Sequence, residues 1–95
     1  MDRIDRVRVI AEKYGATLGE YLLLHIAAAF AMTQVQAADF VSKSLAGSAH
    51  AKDDIDAAMK SCFEKGWLEL SPAKKLVLTE GGRTITHWVA GDLTA

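Results

Sequence analysis

The sequence has little of several features that would define a class of protein. Its single cysteine, Cys62, cannot form a disulfide within the chain, which favours a reducing compartment, the cytoplasm. The charged residues interleaved through positions 1–10 leave no room for a secretory signal. The longest apolar run, residues 21–32, has twelve residues and contains His25, whereas a bilayer span needs about 20. We therefore expect a cytoplasmic protein that does not span a membrane.

An excess of either charge is also missing. The chain has 11 Lys and Arg residues against 12 Asp and Glu residues, for a net charge of -1. Such a chain binds a polyanion only through a local basic patch, because no overall positive charge attracts one. Apolar residues are 51% of the 95, and 32 of these 48 side chains are larger than alanine. That is enough for one domain of packed helices and too little for two cores.

Apolar spacing predicts two helices in the first third of the chain. The first covers residues 2–14, and Gly15 suits the left-handed conformation at a helix end. Residues 17–20, Thr-Leu-Gly-Glu, form a capping box that opens a second helix. This helix is apolar on nearly all sides up to Met32, so it should be covered by the rest of the domain or by another subunit. His25 lies inside it and is expected to be a core histidine.

Two more helices are predicted in the middle of the chain. A second capping box, Thr33-Gln34-Val35-Gln36, opens a helix that runs to Leu45. Its expected inner face carries Val35, Ala38, Val41 and Leu45. After a break at residues 46–49, helical spacing resumes over residues 52–65. The inner face of that fourth helix carries Ile55, Ala58, Met59, Cys62 and Phe63, so Cys62 is expected to be a core residue.

A β-hairpin and a last helix complete the predicted order. Residues 67–70 and 75–79 have strand composition and are joined by Ser71-Pro72-Ala73-Lys74. Residues 80–92 return to helical spacing, with Ile85, Trp88 and Val89 as apolar contacts. The expected fold class is α+β, mostly helical, with the hairpin packed on the helices because an isolated hairpin is marginal in water.

Residues 33–83 resemble a winged helix-turn-helix domain of the MarR or PadR type. Two stretches carry the resemblance. Residues 63–68, Phe-Glu-Lys-Gly-Trp-Leu, are similar to the end of a recognition helix that runs into the first strand of a wing. Residues 76–83, Leu-Val-Leu-Thr-Glu-Gly-Gly-Arg, are similar to the return strand and the start of the next helix. The two stretches occur in the correct order, which makes the pair more specific than either alone.

The resemblance implies a DNA-binding transcriptional regulator built as a single winged-helix domain, residues 1–95. Residues 1–32 would form N-terminal helices and a homodimer interface, 33–66 the helix-turn-helix, 67–79 the wing and 80–92 a C-terminal helix. The fourth helix would enter the major groove of double-stranded DNA, and the wing would contact the backbone. The implied DNA-contacting residues are His50, Lys52, Asp53, Ala57, Lys60, Lys74, Lys75 and Arg83.

The charge of the fourth predicted helix leaves a second interpretation open. Residues 52–65 contain three lysines and four carboxylates, so this helix alone would add little to DNA affinity. The alternative is a winged-helix module that binds another protein and not DNA, through the apolar surface of residues 18–32 or the acidic face at Asp53, Asp54 and Asp56. A structural role for these aspartates is capping of the helix N-terminus.

Patterns of catalytic, metal or cofactor chemistry are not found in the sequence. None of the three histidines, His25, His50 and His87, has a second histidine or a cysteine three or four residues away. A glycine-rich phosphate loop and a Ser-His-Asp or Cys-His signature are also missing. We therefore expect a protein that is not an enzyme and needs no metal or cofactor. A small-molecule effector has no residue-level support in the sequence.

Overall fold

The computed structural model describes residues 2–95. Its elements are, in chain order, α1 (Arg3–Lys13), α2 (Leu18–Ala29), α3 (Gln34–Leu45), α4 (Ile55–Glu64), β1 (Leu68–Leu70), β2 (Leu76–Leu78) and α5 (Glu80–Thr94). The α+β, mostly helical class expected from the sequence is confirmed. Within residues 2–95, every helix is too short or too polar to cross a membrane.

Helix α2 lies at the centre of the fold and packs against the other four helices and β2. Leu23 and Leu24 have no exposed surface, and Leu18 is 3% exposed. The prediction that α2 is covered on most sides is therefore confirmed. The prediction of a core histidine is wrong, because His25 is exposed. It lies on the one stripe of α2 that other elements leave open, with its ring 6.2 Å from that of Tyr21.

The chain leaves α2 earlier than the apolar run suggests. Phe30 is extended, with φ -137° and ψ 155°, and its N–H donates to the Ile26 carbonyl. Two residues later, the Met32 carbonyl accepts a hydrogen bond from the N–H of Leu76 in β2, at 2.8 Å. Residues 30–32 therefore run beside β2 and do not continue the helix. A backbone bond to a strand more than 40 residues away leaves no mark on a local apolar pattern.

Helix α3 buries most of the predicted face but not its first residue. Ala37 and Val41 have no exposed surface and Leu45 is 1% exposed, whereas Val35 is 79% exposed. The expected inner stripe is therefore wrong at its first position. At 3.6 residues per turn, Val35 lies about 80 to 120° around the helix from Leu45 and Val41. The small side chain of Ala37 completes the buried row against α2 in its place.

Helix α4 is shorter than the predicted span of residues 52–65. It begins at Ile55 because the Asp54 carboxylate caps it, accepting a hydrogen bond from the Ala57 N–H at 2.9 Å. Lys52 and Asp53 are therefore not on the helix. They belong to the connection of residues 46–54, which is longer than the three or four residues usual between helix-turn-helix elements. The stripe of Ile55, Met59 and Cys62 is buried, as predicted.

The predicted hairpin is confirmed. Strands β1 and β2 pair antiparallel in the register Leu68↔Leu78, Glu69↔Val77 and Leu70↔Leu76. The turn of residues 71–75 closes through the Lys74 N–H, which donates to the Ser71 carbonyl at 2.8 Å, and the Ser71 N–H, which donates to that of Lys75 at 2.9 Å. Helix α5 then starts directly against the residue that precedes β1, because a Cβ at Gly82 would meet the Trp67 carbonyl oxygen.

Helices α1 and α5 are joined at one end by polar and aromatic contacts. The Tyr14 hydroxyl donates to Asp92 Oδ2 at 2.8 Å, and Lys13 Nζ lies 3.0 Å from the same oxygen. The side-chain hydrogen bond from Lys13, with that from Tyr14, lowers the pKa of Asp92. The Tyr14 ring also contacts Trp88, which is 48% exposed, at 5.4 Å between centroids.

One buried carboxylate joins α2 to α4. Glu20 is 1% exposed. Its Oε1 accepts from the Thr17 N–H at 2.9 Å, Ser61 Oγ donates to its Oε2 at 2.7 Å, and Lys65 Nζ lies 3.0 Å from Oε2. Burial by itself raises the pKa of Glu20, but the hydrogen bonds from Thr17, Ser61 and Lys65 outweigh it and hold the pKa below its ordinary value. The folded protein therefore contains an ionised Glu20.

We expect Glu20→Gln to lower the free energy of unfolding by about 2 kcal/mol at neutral pH, because it removes the charge that Lys65 and Ser61 contact. A lowered folded-state pKa contributes stability that is complete above the unfolded-state pKa and is lost as pH falls through the folded-state value. The difference between wild type and variant should therefore shrink in acid. Urea unfolding from neutral pH down to about pH 2 measures it.

The matched control for this prediction is Glu12→Gln, since Glu12 forms an exposed ion pair with Arg8 at 3.2 Å on α1. Exposed pairs contribute little, so this variant should unfold close to wild type at every pH. Equal losses in the two variants, or a Glu20→Gln difference that does not change with pH, would contradict the role given to the buried carboxylate.

Candidate nucleic-acid interface

The eight predicted DNA-contacting residues lie on four parts of the chain. They are His50, Lys52 and Asp53 in the connection of residues 46–54, Ala57 and Lys60 on α4, Lys74 and Lys75 in the turn of residues 71–75, and Arg83 in the first turn of α5. His50 and Lys75 are half-buried and the other six are exposed. Among these eight, the structure shows one ion pair, between His50 and Asp53.

His50 is held between two carboxylates. Its Nε2 lies 3.1 Å from Asp5 Oδ1 on α1, and its Nδ1 lies 3.6 Å from Asp53 Oδ2. Only 18% of the side chain is exposed. With both ring nitrogens facing carboxylates, the imidazole joins α1 to the connection before α4 and presents no nitrogen to an outside phosphate in this arrangement.

The predicted cations differ in whether a carboxylate lies near them. Lys60 Nζ is 3.9 Å from Glu64 Oε1 on the exposed side of α4. Within residues 2–95, the other four have no carboxylate oxygen within 4.0 Å; these are Lys52, Lys74, Lys75 and Arg83. Their charges are not neutralised by a contact inside the protein, so they are available to an external anion. They flank α4 in sequence, before its start and after its end.

The acidic residues near the start of α4 have separate roles. Asp54 is the N-cap, as the capping interpretation predicts. Asp53 faces His50, and Asp56 lies exposed in the first turn, where a negative charge is favourable to the helix dipole. On the exposed surface of α4, Asp56 and Glu64 outnumber Lys60. The helix surface by itself is therefore slightly acidic.

A second surface feature lies beside α4. The α3–α4 groove has a volume of about 580 Å³, and its apolar walls are Val35, Ala38, Met59 and Phe63. Its polar rim comprises Gln34, Asp56, Lys60 and Glu64. The groove could not be expected from the apolar spacing of α3, because that spacing placed Val35 in the core. The Val35 side chain is the most exposed of the large apolar residues among positions 2–95.

Cys62 is a core residue, as predicted, and has no exposed surface. Burial raises the pKa of its thiol to about 12, with a further contribution from the charge of Glu20. The thiol is therefore protonated near neutral pH and is not a nucleophile. Across residues 2–95, His, Cys, Asp and Glu side chains form no group of three or more that could hold a metal ion.

No protein-family model, no curated protein and no solved structure matches this chain.

We expect the Cys62 thiol to resist modification in the folded protein. A thiol that is buried and protonated should react with a disulfide reagent such as 5,5′-dithiobis(2-nitrobenzoic acid) only when the protein unfolds. The labelling rate should therefore be very slow in buffer and rise to that of a free thiol in urea. Fast labelling in buffer, while circular dichroism shows an intact fold, would contradict the buried environment.

Proposed function

We propose that the protein is a DNA-binding transcriptional regulator of the winged-helix type. Helix α4 enters the major groove, and the turn of residues 71–75 is a wing that contacts the phosphate backbone. The proposal rests on four cations that have no carboxylate oxygen within 4.0 Å among residues 2–95 and that lie on both sides of α4 in the chain: Lys52, Lys74, Lys75 and Arg83. A cytoplasmic location belongs to the same proposal.

The arrangement of the backbone supports a winged helix. From α2 onward, the order is helix, extended segment, two helices, hairpin and helix. The Leu76 N–H donates a hydrogen bond to the Met32 carbonyl, which holds the extended segment of residues 30–32 beside β2. The hairpin therefore packs next to the chain that leads into α3. This contact supplies the hairpin with a neighbour that a free two-stranded ribbon would lack.

The charges support a binding mode in which the wing contributes most of the affinity. Lys74 and Lys75 are adjacent in the hairpin turn, while the exposed side of α4 is slightly acidic. Affinity for DNA without sequence preference comes from cations that displace counterions from phosphates. We therefore expect weak binding at physiological salt and measurable binding at low salt. Two copies of α4, in a homodimer through residues 1–32, would read two half-sites.

The test of this function is the salt dependence of DNA binding. We expect wild type to bind a fluorescent pool of random duplexes at low salt, measured by anisotropy. In the double variant Lys74→Ala, Lys75→Ala, the slope of log K against log [salt] should fall by about 1.8, because each lost phosphate contact contributes about 0.9. The measurement is repeated across a series of salt concentrations.

The matched control is Lys13→Ala, since Lys13 lies at the end of α1 and pairs with Asp92. Its slope should equal that of wild type. Undetectable binding at low salt, an unchanged slope in the lysine double variant, or an equal drop in the control would each overturn the proposal.

A second candidate function is favoured by the α3–α4 groove. Its apolar walls and its acidic residues, Asp56 and Glu64, fit an amphipathic helix with basic side chains, and the 79% exposed Val35 is its most accessible apolar contact. In this alternative the winged helix is a protein-interaction module that does not bind DNA.

This alternative predicts that a designed peptide helix, with leucines on one face and lysines on the other, binds in the groove. Val35→Ser should weaken peptide binding by about tenfold, because a buried valine contributes about 1.5 kcal/mol. Leu70→Ser is the control, since Leu70 is 44% exposed on β1 and does not line the groove. Isothermal titration calorimetry measures both. Peptide affinity that is equal in the two variants would exclude the groove as the site.

A further inference from the structure

A larger apolar groove lies away from α4, between four helices. We call it the four-helix groove, and its volume is about 630 Å³, within the range of small-molecule sites. Its walls are mostly aliphatic and come from α1, α2, α3 and α5: Ile4, Val7, Leu18, Leu22, Leu45 and Leu93. Leu18 and Leu45 are buried at the bottom, and the other four are half-buried. Such walls favour an aliphatic ligand over a polar one.

The arginines that line the four-helix groove give it a positive charge. Arg3 and Arg6 line it, and none of the aspartates and glutamates of residues 2–95 does. Within residues 2–95, neither arginine has a carboxylate oxygen within 4.0 Å. Arg6 donates to the Leu93 carbonyl at 3.2 Å, across the groove from α1 to α5.

Several carboxylates on the four surrounding helices form ion pairs, and these pairs lie away from the groove. Asp5 on α1 faces His50, Glu20 on α2 faces Lys65, Asp39 on α3 faces Lys43, and Asp92 on α5 faces Lys13. Within residues 2–95, the two arginines are therefore the charges that a ligand in the groove would meet. An anion would find its counter-charge there.

Tyr21 supplies an unused hydrogen-bond donor. The residue is 6% exposed and lines the groove, yet its hydroxyl has no hydrogen-bond partner within residues 2–95. Over the same residues, every fully buried side-chain nitrogen or oxygen does have a partner. The Tyr21 hydroxyl oxygen therefore keeps some exposed surface, although the rest of the side chain is buried. Burial raises the pKa of Tyr21, so the hydroxyl remains a donor at neutral pH.

We propose that the four-helix groove binds a medium-chain aliphatic carboxylate. The hydrocarbon chain would lie on the leucine walls, and the carboxylate would accept hydrogen bonds from Arg3, Arg6 and the Tyr21 hydroxyl. Arginine suits this role because its guanidinium donates two parallel hydrogen bonds to a carboxylate. The proposal uses no residue of α4 or of the hairpin, so it does not rest on DNA binding. It does use side chains of the stretch proposed as the dimer interface, so the ligand and a second copy of the chain would compete for this surface.

The test uses decanoate below its micelle-forming concentration, titrated into the full chain by isothermal calorimetry. We expect saturable binding with one site, and no binding of decyltrimethylammonium, which has the same chain length and the opposite charge. The double variant Arg3→Gln, Arg6→Gln should weaken decanoate binding by about tenfold or more, since a hydrogen bond to a charged group is lost at each position.

Tyr21→Phe separates ligand binding from folding. Because the Tyr21 hydroxyl has no partner to lose in the free protein, this variant should keep the thermal unfolding midpoint of wild type. Its affinity for decanoate should nevertheless fall about threefold to tenfold. Arg8→Gln is the control for charge on α1, because Arg8 contacts Glu12 and does not line the groove; its affinity should not change.

Three results would overturn the proposal. The first is no saturable decanoate binding to wild type. The second is equal binding of decyltrimethylammonium, or equal weakening by Arg8→Gln, either of which would show that the arginines of the groove do not recognise the carboxylate. The third is a dimer, seen by sedimentation velocity, that excludes decanoate and dissociates in the Arg3→Gln, Arg6→Gln variant, which would assign the groove to a second copy of the chain.

Discussion

The placement of α4 depends on the contacts that the buried Glu20 carboxylate makes with Ser61 and Lys65. Locally this carboxylate completes the capping box that starts α2, and over a distance of 41 to 45 residues it accepts from Ser61 and Lys65 on and after α4. Burying a charge is unfavourable unless such partners offset the loss of hydration. Lys65 in turn lies 4.6 Å from the Trp67 ring, where the chain turns into β1. The contacts of Glu20 and Lys65 therefore reach as far as the residue that precedes the hairpin.

Local sequence signals predicted the elements, and long-range contacts changed their limits. The two capping boxes join residues three apart, so a short pattern contains all of their chemistry, and both are present with the predicted partners. The hydrogen bond from Leu76 to Met32 and the buried position of Glu20 each depend on a residue more than 40 positions away. Because of the first of these contacts, α2 ends at Ala29, before the end of its apolar run. Glu20 was predicted as a cap and its role in the core was not.

Charges could be counted from the sequence, but their pairing could not. Lys60 is a candidate contact by position, yet Glu64 lies one helical turn away and faces it. His50 precedes α4 in the chain, and only the packing of α1 brings Asp5 to its ring. Nothing in the sequence pattern assigned Arg3 or Arg6 a place in a binding groove. Their setting depends on α2, α3 and α5 closing around them, and no spacing rule within α1 contains that information.

Helix α2 contacts both proposed surfaces, through different sides. Leu18, Tyr21, Leu22 and His25 line the four-helix groove, while Gly19 and Glu20 face α4 about 150° around the helix axis. A Cβ at Gly19 would contact Ala58 at 3.2 Å, so α2 and α4 are in close packing there. A ligand alters a distant surface only when it binds two arrangements of the protein with different affinity. Any such coupling here must shift α2 against α4, which would strain the Glu20–Lys65 contact.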